Sequence, residues 1–197
     1  MSEPTSSPDP LFSDLGFADV DLPDELRAAV DDLGFERLTR VQEAVLPLSL
    51  EGRDIVAQAQ TGSGKTAAYL LTVFSRMLRH ERQSEIQNPR ALIIAPTREL
   101  AVQIASDAEK LTTHTPFSTH VVFGGIDYKK QRERFASGVD LLIGTPGRLI
   151  DYHRQRAYSL HETEMVVVDE CDRLFDMVRF GEVQAELRNV LFKPVGK

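Results

Sequence analysis

Two stretches of this sequence combine residue types that could hold a metal-bound phosphate chain. The first is AQTGSGKT, residues 59–66, in which two glycines precede a lysine and a threonine. The second is DECD, residues 169–172, which directly follows the apolar run MVVV. Carboxylates so close together repel one another, so the second stretch predicts a positive charge nearby.

The first stretch is close to the P-loop pattern G-x-x-x-x-G-K-[ST], with Ala59 in place of the first glycine. Gly62 and Gly64 allow the backbone to bend so that N–H groups point at phosphate oxygens, and the following helix favours an anion at its start. Lys65 can reach the outer phosphates, and the Thr66 hydroxyl can ligate Mg²⁺. The alternative is a turn that only joins a strand to a helix; the lysine–threonine pair in register favours the phosphate site.

The acidic stretch fits the same chemistry, because a P-loop protein needs carboxylates at a strand end to hold Mg²⁺ beside the phosphates. We expect Asp169 to hold the metal through water, since Mg²⁺ gives up its water shell reluctantly. Glu170 is then placed to orient or deprotonate the attacking water. The alternative is a strand end exposed to solvent, where acidic residues cost little.

Short apolar runs alternate with helical patterns from residue 53 onward, which predicts a parallel sheet with helices on both faces. The three valines before Asp169 predict a strand buried on both faces. In such sheets ligands bind beyond the carboxyl ends of the strands. The predicted strands are residues 54–58, 91–95, 120–123, 139–145 and 165–170, and the predicted helices are residues 21–34, 39–50, 64–79, 97–111, 127–136, 146–153 and 181–192.

Bulk composition indicates a globular protein with a short tail. Of 197 residues, 42% are hydrophobic and 27% charged, and the formal net charge of −7 argues against a protein that coats nucleic acid. Cys171 is the one cysteine, so no intrachain disulfide can form. Residues 1–10 are too polar to order themselves and do not resemble a secretory signal, and no apolar run suits a membrane span. We therefore expect a cytoplasmic protein.

Six motifs in order carry a resemblance to a known family. They are GFERLTRVQ (34–42), AQTGSGKT (59–66), PTREL (96–100), GG (124–125), TPGR (145–148) and DECD (169–172). The set resembles the first RecA-like domain of DEAD-box RNA helicases, and within that family the bacterial RhlB-like branch. The resemblance implies a RecA-like P-loop NTPase fold and an ATP-dependent RNA helicase that uses ATP and Mg²⁺ to unwind RNA duplexes locally.

The resemblance also implies roles for individual residues. Lys65, Asp169 and Glu170 would be catalytic, and Thr66 and Asp169 would hold the metal. Gln42 would recognise the adenine edge and Phe17 would stack on the adenine ring; the alternatives are a helix cap for Gln42 and a core side chain for Phe17. The complete ATP-binding set is Phe17, Gln42, Thr61, Gly62, Ser63, Gly64, Lys65 and Thr66.

For RNA, the resemblance implies contacts to the sugar–phosphate backbone, which carry no base information and tolerate any sequence. Without the family, the same residues would be ordinary helix caps and exposed arginines. A basic run on one predicted helix is interpreted first as a solvated face and second as an RNA contact. The RNA set is Pro96, Thr97, Arg98, Gly125, Thr145 and Arg148, and the basic run is Lys129, Lys130, Arg132 and Arg134.

The sequence departs from the family in three places. Cys171 replaces alanine in the acidic motif, a small residue for a small residue, and Leu38 and Arg40 stand where the family usually has prolines. Leu38 and Arg40 affect the loop that positions the adenine contacts. The loop following the acidic helix, DMVRF (176–180), is expected to be one residue longer than usual.

We divide the chain into the tail, N-terminal flanking helices with the adenine motif over 11–52, and RecA-like domain 1 over 53–197. The second RecA-like domain of the family, which supplies arginine fingers, is expected to be missing, so these residues alone should be nearly inactive. RNA is the expected partner, with an RNA-processing or degradation complex possible and a monomeric state. Two alternatives stay open: another P-loop NTPase such as a kinase or GTPase, and a catalytically silent RecA-like interaction module.

Overall fold

The computed structural model describes residues 11–82, 88–175 and Ala185, and the chain forms two compact units. Among the described residues, the first unit comprises 11–80 and 110–115. The second comprises 81–82, 88–109, 116–175 and Ala185. The predicted tail over 1–10, the loop over 176–180 and, apart from Ala185, the predicted helix over 181–192 lie outside the described residues.

The first unit is built from three helices and a small antiparallel strand pair. Thr39 and Gln42 form the predicted capping box at the start of the second helix, which confirms that prediction. The strand pair was not predicted, because β1 does not alternate apolar and polar residues and β2 has only three residues. The elements are β1 (Phe12–Gly16), a 3₁₀ turn (Phe17–Asp19), α1 (Asp24–Asp32), β2 (Arg37–Thr39), α2 (Arg40–Leu50) and α3 (Lys65–Arg79).

The predicted strand over residues 54–58 is wrong. The segment has no regular secondary structure, Ile55 is exposed, and Val56 is 100% exposed. A strand exists only where a neighbouring strand takes up its backbone N–H and C=O groups. None of the strands in the described part of the chain pairs with this segment, so its apolar pattern alone was misleading.

The second unit is a four-stranded parallel sheet with helices between its strands. All four strands were predicted, as were the helices that follow the first three of them. Among the residues that the structure describes, none of the helices of either unit is long and apolar enough to cross a membrane. The elements are β3 (Ala91–Ile94), α4 (Arg98–Leu111), β4 (Thr119–Val122), α5 (Tyr128–Glu133), a 3₁₀ turn (Arg134–Ser137), β5 (Leu141–Gly144), α6 (Pro146–Arg154), β6 (Met165–Val168) and α7 (Cys171–Phe175).

The strand order is β4-β5-β3-β6, and the central pair carries the core. Every residue of β3 and β5 is buried, so both faces of these strands are covered. Leu149, Ile150 and Tyr152 of α6 belong to the apolar cluster that contains Leu92 and Ile94 of β3 and Leu142 of β5. Helix α6 therefore packs its apolar side chains against the central strands.

Strand β6 departs from expectation, because Val168 is 38% exposed rather than buried on both faces. In the described sheet β6 pairs only with β3, in register from Ala91 opposite Met165 to Ile94 opposite Val168. An edge strand is covered on fewer sides, which accounts for the exposure. Its position nevertheless brings the acidic motif to the same edge of the sheet as the loops that follow β3, β4 and β5.

Candidate phosphate loop and sheet-edge sites

The phosphate loop bends through two left-handed glycines in the first unit. Gly62 has a φ of +82° and Gly64 a φ of +87°, values that side chains other than glycine rarely adopt. Helix α3 begins at the next residue, Lys65, with Gly64 as its N-cap. The first N–H groups of a helix have no intrahelical acceptor, so this turn offers unpaired donors and a positive helix end to an anion.

Lys65 bonds back to the loop that precedes it. Its Nζ donates to the carbonyl oxygen of Ala59 and, at 3.1 Å, to that of Gln60. An ammonium group has three donors, so one remains for a phosphate oxygen. The side chain is therefore held at the loop rather than extended into solvent.

Gln42 links the adenine motif to the phosphate loop. Its Oε1 accepts from the Thr39 N–H at 2.9 Å, and its Nε2 donates to the Gly64 carbonyl oxygen at 3.2 Å. The side chain is only 4% exposed. A Cβ on Gly64 would lie 2.6 Å from Gln42 Nε2, so the contact requires glycine at this position. The side-chain amide of Gln42 thus makes both the capping bond and the contact with the loop. It retains one donor hydrogen and one acceptor lone pair.

Phe17 lies in the core of the first unit. It is 4% exposed, its N–H donates to the Glu36 carbonyl oxygen, and its ring centroid is 5.7 Å from that of Phe35. Phe35 is the exposed member of this aromatic pair.

The remaining loop residues fit a phosphate cradle. The Ser63 hydroxyl oxygen is buried and has no hydrogen-bond partner among the described residues, and Thr61 is exposed beside it. A buried polar atom without a partner is costly unless a ligand or water completes it. Thr66 is half-buried in the first turn of α3 and supplies a hard hydroxyl oxygen of the kind that Mg²⁺ accepts.

At the end of β6, in the second unit, the backbone turns sharply between the two acids. The Asp169 N–H donates to the Ile94 carbonyl oxygen at 3.0 Å, which extends the strand pairing by one residue. Glu170 has a φ of +45°, a strained value for a residue with a side chain, and its N–H donates to Asp169 Oδ1 at 2.8 Å. Such strain is concentrated at functional sites.

The carboxylates have distinct surroundings. Glu170 Oε2 lies 3.1 Å from Arg173 Nη1, one turn further along α7. Within the described residues, no cluster of three or more His, Cys, Asp or Glu could hold a metal by itself. This donor set fits Mg²⁺, which proteins hold through one or two carboxylates with water and phosphate oxygens completing the shell.

The predicted RNA residues after β3 and β4 come together at the same sheet edge. Thr97 accepts the Leu100 N–H with its Oγ1 at 3.3 Å and so caps α4, directly after the buried Pro96. The guanidinium carbon of Arg98 lies 4.7 Å from the centre of the Phe123 ring. Arg98 Nη1 is also 3.8 Å from the position that a Cβ would take on Gly125, whose φ is +86°. An arginine and a bare backbone turn thus lie side by side, as a phosphate contact requires.

Thr145 and Arg148 form a second group at the start of α6. Thr145 is the N-cap, but its hydroxyl makes no capping bond, unlike that of Thr97. Arg148 lies over the rings of Tyr128 and Tyr152, at 4.9 and 5.5 Å, and donates to the Tyr152 hydroxyl at 3.3 Å. The Tyr152 hydroxyl in turn donates to the Tyr128 carbonyl oxygen at 2.9 Å. Aromatic faces hold this guanidinium in place.

Four side chains that support these arginines were missed by sequence reasoning. Phe123 and Tyr152 are buried aromatic residues, which the sequence cannot distinguish from ordinary core, and Tyr128 is a half-buried one. Burial raises the pKa of the Tyr128 phenol, so this ring stays neutral beside the arginine. Gln131 is a buried amide within the basic run, and a glutamine on an otherwise charged helix was the one available signal.

Comparison with known proteins adds independent information. A family model described as DEAD/DEAH box helicase matches residues 39–195. A protein named ATP-dependent RNA helicase RhlB from Idiomarina loihiensis is 47% identical over 175 residues, which are 88% of this chain and 41% of that protein.

Proteins of the same name give similar values. The one from Actinobacillus succinogenes is 46% identical over 87% of this chain and 42% of its own length. The one from Xanthomonas campestris pv. campestris strain B100 is 45% identical over 92% of this chain and 32% of its own length. The chain therefore spans well under half of the relatives that it matches.

Proposed function

The chain belongs to the DEAD/DEAH box helicase family, and we propose that it supplies the ATP-binding part of an ATP-dependent RNA helicase. The observation that carries the proposal is the 3.2 Å hydrogen bond from Gln42 Nε2 to the Gly64 carbonyl oxygen. It joins the side chain proposed to recognise adenine to the loop proposed to hold the phosphates. A phosphate loop alone would fit many nucleotides, whereas this link favours an adenine nucleotide.

The nucleotide site is proposed to lie in the first unit. Lys65 supplies positive charge to the outer phosphates, and the left-handed loop with the start of α3 supplies N–H donors. The unpartnered hydroxyl of Ser63 supports a polar ligand at this loop. Phe17 is proposed as the ring that stacks on adenine, and Thr61 and Thr66 are proposed as further contacts to the nucleotide. We also propose a division of the chain into the segments 11–52 and 53–197. The adenine motif lies in the first segment, and the phosphate loop lies in the second.

Asp169 and Thr66 are proposed to hold Mg²⁺, which when bound neutralises charge on the phosphates. Glu170 is proposed as the group that takes the proton from the attacking water as its oxygen bonds to the γ-phosphorus and the bond to the leaving diphosphate breaks. The strained φ of Glu170 supports this role, because such strain is concentrated at functional sites.

RNA is proposed to bind along the sheet edge of the second unit. Arg98 and Arg148 supply charge, Gly125 permits close approach of the backbone, and the Thr145 hydroxyl makes no capping bond. Pro96 and Thr97 hold the start of α4. Because all of these groups suit phosphates and sugars, binding is independent of base sequence.

The proposed compartment is the cytoplasm, where ATP and RNA are both present. A partner complex and a monomeric state stay predictions.

Nucleotide binding by this chain tests the first half of the proposal. With Mg²⁺ present, we expect ATP and ADP to bind more tightly than GTP by titration calorimetry. Lys65→Ala should abolish binding, and Gln42→Ala should weaken ATP binding by a larger factor than GTP binding. Lys129→Ala, an exposed lysine of the second unit, is the matched control. Preference for GTP would indicate a different P-loop NTPase, and no nucleotide binding at all would indicate an interaction module.

RNA binding tests the second half. Fluorescence anisotropy with a labelled uridine oligonucleotide and its DNA counterpart should show tighter binding to RNA, since only RNA carries 2′-hydroxyl groups. Arg98→Ala and Arg148→Ala should each weaken binding to oligonucleotides of any sequence by a similar factor. Equal affinity for DNA and RNA, with both variants at the wild-type value, would refute an RNA role for this edge.

A further inference from the structure

Gln131 of α5 makes two hydrogen bonds to the backbone of a single residue. Its Oε1 accepts from the Phe123 N–H at 3.0 Å, and its Nε2 donates to the Phe123 carbonyl oxygen at 3.1 Å. The side chain is 5% exposed, and Phe123 is buried as well. The amide therefore pairs with Phe123 as a neighbouring strand would, one residue beyond the end of β4.

Phe123 is the residue on which Arg98 rests. The Arg98 guanidinium lies 4.7 Å from the centre of the ring, and Phe123 directly precedes the two glycines of the turn. Gly125 lies close enough to Arg98 for a Cβ there to be 3.8 Å from Nη1. Fixing both backbone groups of Phe123 consequently fixes the ring beneath the arginine and the start of the turn beside it.

We propose that Gln131 is a positioning residue for the RNA contact made by Arg98 and the Gly124–Gly125 turn. The inference rests on the proposed RNA role of this edge and adds a residue to which neither the motifs nor the comparisons assign a role. Gln131 does not touch RNA; it acts through Phe123. The two bonds account for the residue type, since a side-chain amide both donates and accepts in one plane.

The neighbouring side chains of α5 support a specific role for Gln131. Lys129, Lys130, Arg132 and Glu133 are all exposed, as expected for a solvated helix. The buried position between them would be apolar if packing were its only purpose, because a buried amide must have each polar atom satisfied. Both polar atoms of Gln131 are satisfied by the one residue under Arg98.

The test uses Gln131→Met, which keeps the length of the side chain and removes both bonds. Each of the two net hydrogen bonds contributes a factor of about two to ten, so RNA affinity should fall by at least about fourfold in the anisotropy assay. ATP binding, measured on the same samples, should be unchanged. Gln103→Met, the same substitution at an exposed position of α4, should leave both affinities at the wild-type value.

A double-mutant cycle separates positioning from a general loss of structure. If Gln131 acts through Arg98 and the adjoining turn, then Gln131→Met should weaken RNA affinity by a smaller factor in an Arg98→Ala background than in the wild type. Effects that simply add would overturn the inference. Should Gln131→Met fail to fold, Phe123→Leu tests the same link, since it keeps both backbone bonds and removes the ring; unchanged RNA affinity in that variant would also overturn it.

The outcome also distinguishes this inference from the proposed function. If Arg98→Ala binds RNA as tightly as the wild type, the RNA role of the edge is wrong. If Arg98→Ala weakens binding while Gln131→Met does not, the edge binds RNA and Gln131 has no positioning role.

Discussion

At the scale of single residues, Gly64 is the position where the phosphate loop and the adenine motif constrain each other most. Its φ of +87° disfavours any side chain, and a Cβ would lie 2.6 Å from Gln42 Nε2 and 3.0 Å from Thr39 Oγ1. Gly62 has nearly the same φ, +82°, but no atom within 4 Å of a Cβ. A side chain at position 62 would therefore cause backbone strain alone, whereas a side chain at position 64 would also displace Gln42.

We predict that Gly64→Ala destabilises the protein by about 2–3 kcal/mol and weakens ATP binding at least about tenfold. Gly62→Ala has backbone strain alone and should cost about 1–2 kcal/mol. Urea denaturation and calorimetry with ATP measure both quantities. Adding Gln42→Ala to Gly64→Ala should recover part of the lost stability, because it removes the colliding amide. Equal losses of stability in Gly62→Ala and Gly64→Ala would contradict the role assigned to the Gln42 contact.

Tyr152 offers a second residue-scale prediction, because its hydroxyl accepts from Arg148 and donates to the Tyr128 carbonyl oxygen. Tyr152→Phe keeps the ring and removes both bonds, so we expect a loss of about 1 kcal/mol in stability and about threefold in RNA affinity. Tyr158→Phe is the matched control, since that buried hydroxyl donates to the Leu149 carbonyl oxygen rather than contacting the Arg148 guanidinium. It should lose stability while keeping RNA affinity; parallel losses of RNA affinity in both variants would show that the effect is not specific to Arg148.

At the scale of elements, the two edges of the sheet have different chemistry. The carboxyl edge, formed by the carboxyl ends of the strands, carries the proposed RNA residues. Ion pairs lie at the amino edge, which is formed by the opposite ends of the same strands. Asp140, just before β5, pairs with Arg82 at 2.7 Å and accepts from both the N–H and the hydroxyl of Ser118, just before β4. Arg90, just before β3, pairs with Glu164, just before β6, at 2.8 Å. These contacts fix the starts of the strands.

We therefore predict that Asp140→Ala lowers the free energy of unfolding by about 2–3 kcal/mol, because it removes one of the two carboxylates paired with the partly buried Arg82 and the acceptor of both Ser118 donors. ATP and RNA affinity, measured well below the unfolding midpoint, should be unchanged. Glu51→Ala removes the exposed ion pair with Arg53 and should cost no more than about 0.5–1 kcal/mol. A similar small cost for Asp140→Ala would mean that the amino-edge pairs do not stabilise the sheet.

Elements were predictable from sequence where the information was local. The capping box of α2 and the apolar runs of β3 and β5 are written in adjacent residues, and the structure confirms them. Strand pairing is not local. Residues 54–58 have an apolar run as convincing as that of β4 yet form no strand, and β1 and β2 pair across 20 residues although β1 has no alternating pattern and β2 is three residues long.

In the candidate sites, too, the residues that depend on local spacing were predictable and those that depend on non-local contacts were not. The glycines, the lysine and the acids were predictable because their chemistry requires those residue types at fixed spacing. The supporting residues were not, because a buried aromatic residue such as Phe123 has the same sequence pattern whether it fills the core or lies under an arginine. Gln131 contacts Phe123 across eight residues that include a turn, and no periodicity predicts that contact.

At the scale of the whole molecule, a formal net charge of −7 opposes the long-range approach of a polyanion. Affinity for phosphate depends on the local potential rather than on the sum of charges. Arg98 and Arg148 both rest on aromatic faces at the carboxyl edge of the sheet. An aromatic face orients a guanidinium without neutralising it, so these two charges remain available to a phosphate backbone.

Net stability should depend on pH through one buried histidine. His120 of β4 is 4% exposed, and its ring lies 4.5 Å from that of Phe135. Burial, with a smaller contribution from Arg134, lowers the pKa of His120 from 6.5 to about 4. Neither ring nitrogen has a hydrogen-bond partner among the described residues, so protonation in the folded state has no local compensation.

Because the pKa is lower in the folded state, the unfolded chain takes up a proton first as the pH falls below 6.5, and stability is lost between pH 6.5 and about 4. The full loss is about 3 kcal/mol. Urea denaturation at a series of pH values should show this decline in the wild type and a smaller one in His120→Leu, which has no group to protonate. His161→Leu, at an exposed position, should keep the wild-type decline. Identical pH dependence in the wild type and His120→Leu would mean that other groups govern acid stability.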